Sequence, residues 1–296
     1  MTTLDAALQG ETPPLVTPFD ADGTVDHDAL ADVVEHVEAG GADGLFPNGT
    51  TGEFASLTTQ EQGAVTETVV EASTDSPVVA GISAPAIDDA VAKAEAATVA
   101  GADAIVCTPP YFQTSDNPAG VEAFFKEVAD RTSLPLLCYN IPIYVGTCMD
   151  VQTAVNLAER PDVLGVKDSS GDLEYTLSLV RETPTDFRVL QGYDTLLLPG
   201  LRMGLDGGVN ALANVVPEVY SVIIDEPQSD RARRATDAIA QLFAISTDYG
   251  FASVTKTALV QRGVLDEDHV RPPATAVPES EHDRIREAVD MALDVI

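Results

Sequence analysis

The sequence predicts an α/β protein: a (β/α)₈ (TIM) barrel carrying a C-terminal helical appendage. Three observations predict it. Short, mostly apolar strand-like runs, each followed by a stretch of helical period, alternate eight times within residues 1–225. No Gly-x-Gly-x-x-Gly follows the first strand, which counts against the alternative, an open doubly wound sheet. Residues 226–296 contain no strand run and divide into helices. The expected domains are therefore a barrel over 1–225 and a helical domain over 226–296.

Pro14-Leu15-Val16-Thr17 is the first expected strand, and Asp26 to Gly40 its helix, with Leu30, Val33, Val34 and Val37 on one face. Gly44-Leu45-Phe46 is the second, followed by a helix from about Thr58 to Ser73 that Thr58 or Thr59 can cap. Pro77 to Ile82 and the alanine-rich Ile87 to Ala100 make the third unit, and Ala104 to Cys107 with Ala119 to Arg131 the fourth. Pro135 to Tyr139 and Asp150 to Glu159 make the fifth; Val163 to Lys167 and Leu173 to Glu182 make the sixth. Phe187 to Gln191 precedes a helix near Thr195 to Met203, and a compressed Gly207-Gly208-Val209 precedes one near Val215 to Ile224. Ser229 to Thr247, Ser253 to Gln261 and Glu281 to Ile296 are the tail helices, with Pro272, Pro273 and Pro278 separating the last two.

Composition limits the function classes. The chain has 296 residues with 48 acidic against 16 basic side chains, a formal net charge of −32. Nucleic acid needs a basic footprint, so it is not an expected partner. So acidic a surface repels itself unless salt screens it, which points to a halophilic microorganism. No apolar stretch is long enough to span a membrane, and the N-terminus has no signal-peptide pattern. Cys107, Cys138 and Cys148 lack metal-ligand spacing and read as reduced thiols in a cytoplasmic protein. His27, His36, His269 and His282 fall on helices or in the tail, not at strand ends, so no metal site is expected.

Barrel active sites lie where the strands end. There the sequence places Gly49-Thr50-Thr51-Gly52-Glu53, Thr108 to Phe112, Tyr139-Asn140-Ile141-Pro142, Lys167 and Gly192-Tyr193-Asp194. Of the chain's four lysines, Lys167 alone ends a buried-strand pattern. An isolated ammonium is costly to bury, and a neutral amine can attack a ketone to form a Schiff base. The plainer readings are a lysine that snorkels to the surface or pairs with Asp168. Tyr139, on the neighbouring strand, can shuttle a proton if Thr50 polarises it. Thr51 with the turn amides can hold a carboxylate. Singly, these residues have ordinary explanations: a turn, a capped core aromatic and, for Asp194, a helix N-cap. Jointly they supply what a Schiff-base enzyme needs.

Gly49-Thr50-Thr51-Gly52-Glu53, Tyr139-Asn140-Ile141-Pro142 and Gly165-Val166-Lys167-Asp168-Ser169-Ser170-Gly171 resemble the three hallmark motifs of the dihydrodipicolinate synthase / N-acetylneuraminate lyase family. The resemblance runs from Thr17-Pro18-Phe19 to the helical tail. It implies a barrel with a helical C-terminal domain, a homotetramer, and class I aldolase chemistry on pyruvate or its adducts without metal or other cofactor. Residue by residue, Lys167 resembles the Schiff-base lysine, Tyr139 the general acid/base, Thr50 the hydroxyl that orients it, and Thr51, in the turn opened by Gly49, the carboxylate binder. Gly192 and Val209 resemble backbone contacts near the reacting centre, and Tyr111 the first aromatic of a Pro-Tyr-Tyr segment.

The departures shape the expected substrate. Tyr144 stands where the synthases usually carry an arginine that grips a second carboxylate, and Phe112 where they carry a second tyrosine. Gly192-Tyr193-Asp194 is similar to the sialate lyases, whose aspartate holds sugar hydroxyls, but Thr195 replaces their glutamate and Thr50 their usual serine. The remaining expectation is an aldolase for a 2-keto-3-deoxy sugar acid such as 2-keto-3-deoxygluconate or its 6-phosphate, with Asp194 meeting substrate hydroxyls. 4-Hydroxy-tetrahydrodipicolinate synthase, N-acetylneuraminate lyase and a keto-deoxy sugar acid dehydratase stay open; the intact lysine–tyrosine–threonine set argues against a non-catalytic keto-acid-binding barrel, since mere binding needs no imine.

Overall fold

The computed structural model describes residues 2–112 and 117–296. Six parallel strands pair in sequence order: β1 (Val79–Gly81), β2 (Ala104–Cys107), β3 (Leu136–Asn140), β4 (Val163–Asp168), β5 (Arg188–Gln191) and β6 (Gly207–Gly208). Two irregular staves close the sheet on itself. Glu11 bridges Gly208, Pro14 bridges Phe46, and Leu45 bridges Val78 beside β1. The closing bonds include Thr12 N–H to Gly208 O at 3.0 Å, Leu15 N–H to Phe46 O at 2.9 Å and Val79 N–H to Leu45 O at 2.8 Å. The molecule is a (β/α)₈ barrel with a helical C-terminal extension.

The first two expected strands are isolated bridges rather than regular strands. Pro13, Pro14 and Pro47 have no N–H to donate, so a continuous ladder cannot form there. The helices are α1 (Leu4–Ala7), α2 (His27–Ala39), α3 (Thr59–Ala72), α4 (Ile87–Ala100), α5 (Pro118–Arg131), α6 (Pro142–Val145), α7 (Val151–Leu157), α8 (Leu173–Glu182), α9 (Leu197–Arg202), α10 (Pro217–Asp225), α11 (Asp230–Tyr249), α12 (Phe251–Gln261) and α13 (His282–Leu293). Short α1 and α6 have no counterpart in the expected pattern. Single 3₁₀ turns at Asp194–Leu196 and Ala211–Asn214 push α9 and α10 later than expected. Helix α3 opens with a capping box: Glu61 N–H donates to Thr58 Oγ1 at 3.2 Å, and Thr58 N–H to Glu61 Oε2 at 2.8 Å.

One hydrophobic layer lies between the sheet and its surrounding helices. A second joins α9 and α10 to α11, α12 and α13 through Leu198, Tyr220, Ile223, Ile239, Leu242, Val254 and Ile285. The apolar packing is continuous across residue 225, from α10 into α11. No helix of the described residues is long and apolar enough to cross a membrane.

Candidate active site

Side chains alternate along a strand, and the alternation selects what enters the barrel. On β3, Leu136 and Cys138 face the helical layer, while Leu137 and Tyr139 join an interior cluster with Phe46, Val79, Val106 and Leu190. On β4, Val166 faces the helices, so Lys167 turns inward. Tyr139 pairs in register with Lys167, and both lie near the C-terminal ends of their strands. The lysine is 3% exposed. Its Nζ lies 4.2 Å from the Tyr139 ring centroid and 5.2 Å from that of Phe46.

Neither plainer reading of Lys167 describes this geometry: the side chain does not reach the surface, and Asp168 points to the other face. The Asp168 carboxylate accepts from Asn140 Nδ2 at 2.8 Å, Ser170 Oγ at 2.9 Å and Thr176 Oγ1 at 2.6 Å. It thereby ties β3 and α8 to the end of β4. Burial pushes its carboxyl up, with those hydrogen bonds pulling the other way. Among the described residues no carboxylate lies within ion-pair distance of Lys167.

Thr50 Oγ1 lies 3.5 Å from Tyr139 Oη, at the outer limit of a hydrogen bond. The turn that carries it is held on several sides. Asn48 Nδ2 donates to Gln62 O and Thr66 Oγ1 at 2.9 Å each, and Thr17 Oγ1 to Gly52 O at 2.8 Å. A Cβ on Gly52 would sit 2.7 Å from Leu15 O, so the turn needs glycine there to approach the first stave. A Cβ on Gly192 would sit 2.6 Å from Lys167 Cε and 2.1 Å from Ser169 Oγ. That glycine makes the room in which the lysine side chain lies.

Thr50, Thr51, Tyr139, Tyr144, Lys167, Gly192, Asp194 and Val209 line a single cavity of about 160 Å³. Tyr111 instead lines a larger neighbouring cavity of about 480 Å³, which shares Thr50, Ile141, Tyr144 and Phe251 with the first. Gly49 lines neither cavity and packs against Phe46 and Pro14. Asp194 is buried and committed to protein partners through Oδ1, which accepts from Tyr220 Oη at 2.5 Å and Leu212 N–H at 3.1 Å. Burial pushes its carboxyl up. Only its second oxygen is left for a substrate hydroxyl.

Sequence reasoning missed the roof of the site. Phe243 and Thr247 of α11 and Phe251 of α12 line the lysine cavity. Tyr193 packs at a tilt on Phe243, and Phe243 edge-to-face on Phe251, with centroids 4.7 and 5.3 Å apart. No local pattern announces that two tail helices lean over a barrel mouth. Gly250, with φ of 95° between those helices, is the one nearby signal of a sharp change in direction. Among the described residues no group of three or more His, Cys, Asp or Glu could hold a metal ion.

The chain matches the dihydrodipicolinate synthetase family over residues 7–292. It is 38% identical over 238 residues to a 4-hydroxy-tetrahydrodipicolinate synthase of Natronomonas pharaonis, covering 79% of this chain and 81% of that one. It is 37% identical to an uncharacterised DapA-like lyase of Halobacterium salinarum, over 96% of this chain and 93% of the relative. Among solved structures it resembles a prophage protein of the dihydrodipicolinic acid synthase family from E. coli K12 in complex with pyruvate, with a TM-score of 0.91, 28% identity and coverage of 96% and 98%. It also resembles the lysine-bound enzyme from Cyanidioschyzon merolae, with a TM-score of 0.90, 28% identity and coverage of 97% and 98%. Matched from the end of α1 to the last turn of α13, the chain belongs to the dihydrodipicolinate synthetase family of pyruvate-dependent lyases.

Proposed function

We propose that the chain is a class I aldolase that reversibly cleaves a 2-keto-3-deoxy sugar acid, such as 2-keto-3-deoxygluconate, into pyruvate and an uncharged aldehyde. One observation carries the reading. Apart from Lys167, the described residues that line the two adjoining cavities include no lysine or arginine. They offer hydroxyls, from Thr50, Ser56, Thr108, Ser253 and Thr275, and aromatic faces, from Phe54, Tyr111, Tyr144, Tyr249 and Phe251. An aldehyde bearing a carboxylate or phosphate would be desolvated there without a counter-charge, at a cost of several kcal/mol. A polyhydroxy aldehyde would meet partners for its hydroxyls.

In the proposed reaction the Lys167 amine adds to C2 of the 2-keto acid and expels water, giving an iminium. Thr51 and the amides of its turn hold the carboxylate. Tyr139, left as a phenolate after protonating the departing hydroxide, takes the C4 hydroxyl proton on Oη, with Thr50 as its hydrogen-bond partner. The C3–C4 bond breaks, its electrons neutralise the iminium as an enamine, and the aldehyde leaves. Tyr139 returns the proton to C3, and water releases pyruvate. No cofactor beyond the lysine is invoked. The proposed assembly is a homotetramer in the cytoplasm; exposed Phe112, Ile143 and Tyr144 near the cavity mouth are apolar surface that association would cover.

A second reading, 4-hydroxy-tetrahydrodipicolinate synthase, is favoured by the name of the Natronomonas relative. One assay separates them. The purified chain is given 2-keto-3-deoxygluconate, its 6-phosphate, or pyruvate with aspartate 4-semialdehyde. Pyruvate release from the unphosphorylated sugar acid is expected; condensation with the semialdehyde at a higher kcat/KM would replace the aldolase reading.

A further inference from the structure

We infer that Lys256 of α12 is a positioning residue for the Thr50–Thr51 turn, acting through Glu53. This rests on the Schiff-base reading of the site and adds to it a role for the C-terminal helices.

Lys256 is 0% exposed, though it belongs to a tail helix rather than to the barrel. Its Nζ donates to Glu53 Oε1 at 2.6 Å and to His269 O at 2.8 Å, and lies 4.1 Å from the Phe19 ring centroid. The other Glu53 oxygen accepts from Arg271 N–H at 2.9 Å. Both carboxylate oxygens are thus held from the C-terminal segment, and neither from the turn that Glu53 ends.

Glu53 also has a left-handed backbone, with φ of 55°, which a residue with a Cβ adopts only under constraint. In that conformation its N–H donates to Thr50 O at 3.1 Å, and its own carbonyl accepts from Ser56 N–H at 2.8 Å. The carboxylate anchor and the Thr50 hydroxyl are therefore three residues apart on one constrained turn. Without the amine, the buried Glu53 carboxylate loses its ammonium partner and is drawn towards water. The turn then rotates, and Thr50, already 3.5 Å from Tyr139 Oη, moves out of reach. Misplacing a catalytic group by about 1 Å can cost about a hundredfold.

A purely structural role makes a different forecast, so the test has three arms, all on the full chain. Lys256→Met removes the amine at similar volume. Glu53→Gln keeps the size of the acid and serves if the first variant fails to fold. Arg262→Ala breaks another contact of the same helical region, where Arg262 Nη2 meets Glu218 Oε1 at 2.7 Å, away from the turn. Each is measured for melting temperature, for the pyruvate concentration giving half-maximal borohydride trapping, and for the rate of solvent exchange of the pyruvate methyl protons at saturation.

Folded Lys256→Met and Glu53→Gln are expected to need about tenfold more pyruvate and to exchange its protons about tenfold more slowly. Arg262→Ala is expected to melt earlier with both pyruvate readouts unchanged. Combining Lys256→Met with Glu53→Gln removes the stranded charge; stability is expected to recover while the pyruvate defect persists. Trapping and exchange identical to wild type in both Lys256→Met and Glu53→Gln would overturn the inference, as would an equal shift in Arg262→Ala. If the wild-type chain itself is not trapped by pyruvate, the Schiff-base reading falls, and the inference falls with it.

Discussion

At the scale of single residues, the proposed chemistry depends on an amine with no carboxylate at ion-pair distance among the described residues and a phenol one strand away. Lys167 and Tyr139 are in register on β4 and β3, so their relative placement is fixed by backbone pairing rather than by flexible side chains. Lys167→Ala is expected to abolish borohydride trapping of pyruvate, since no other lysine lines the cavity. Tyr139→Phe is expected to retain trapping but to lose turnover by about 10²–10⁴-fold, the usual worth of general acid–base help. Trapping lost in both variants would mean that the tyrosine is needed to build the pocket. Gly192 gives a sharper probe, because it borders the lysine and has no side chain of its own. With a Cβ placed 2.6 Å from Lys167 Cε, Gly192→Ala is expected to block imine formation. Its far-ultraviolet circular dichroism is expected to match wild type. An alanine variant that traps pyruvate normally would show that the lysine has room to move aside.

At the scale of elements, what was legible followed from local chemistry. β2 and β4 are apolar runs carrying β-branched residues, β3 opens on the apolar Leu136-Leu137-Cys138, and the sequence marks all three clearly. The first two staves carry the same apolar signal, but their prolines break the ladder, so hydrophobicity identified their place in the ring and not their regularity. A threonine cap was legible because a cap is local; the sequence offered Thr58 or Thr59, and Thr58 takes the position. The structure adds the reciprocal Glu61 bond, and Arg271 further holds the Glu61 carboxyl down at about 2. Thr58→Ala is expected to lower stability by about 1 kcal/mol, read as a shift in urea midpoint at constant slope. An unchanged midpoint would show that tertiary packing alone holds the start of α3. The roof over the site was not legible, because docking of α11 and α12 on the barrel mouth depends on partners some 200 residues away in the chain, as Lys256 and Glu53 show. For the same reason a helical lysine, ordinarily an exposed group, gave no sign that it would be fully buried.

For the whole molecule, the dominant quantity is the net charge of −32. Its ion pairs are mostly exposed and worth little each, so they do not offset the repulsion among the surplus acids. Buried carboxyls add to the load: Glu11, Asp43, Asp168 and Asp194 are all pushed up, chiefly by burial. The sign follows from linkage. A carboxyl whose folded value lies above its unfolded value favours the folded state most at low pH, and loses that contribution as pH rises through the folded value. Lowered carboxyls such as Glu61 work in the opposite direction, but only below the ordinary carboxylate range. Above the ordinary carboxylate range the raised groups and the surface repulsion therefore act together, and both favour the more acidic end. Salt acts on one of them alone. At about 1 M it shortens the screening length to about 3 Å and quiets the surface, while buried carboxyls are screened far less. We propose on this basis that the chain works in concentrated salt. In dilute buffer the melting temperature is expected to rise by several degrees from pH 7.5 to 5.5. Raising KCl to about 2 M is expected to lift it more at pH 7.5 than at 5.5, and so to shrink that pH dependence without removing it. A melting temperature indifferent to KCl at pH 7.5 would mean that the acidic surface is not what limits stability. A pH dependence that vanishes entirely in salt would mean that the buried carboxyls contribute nothing to it.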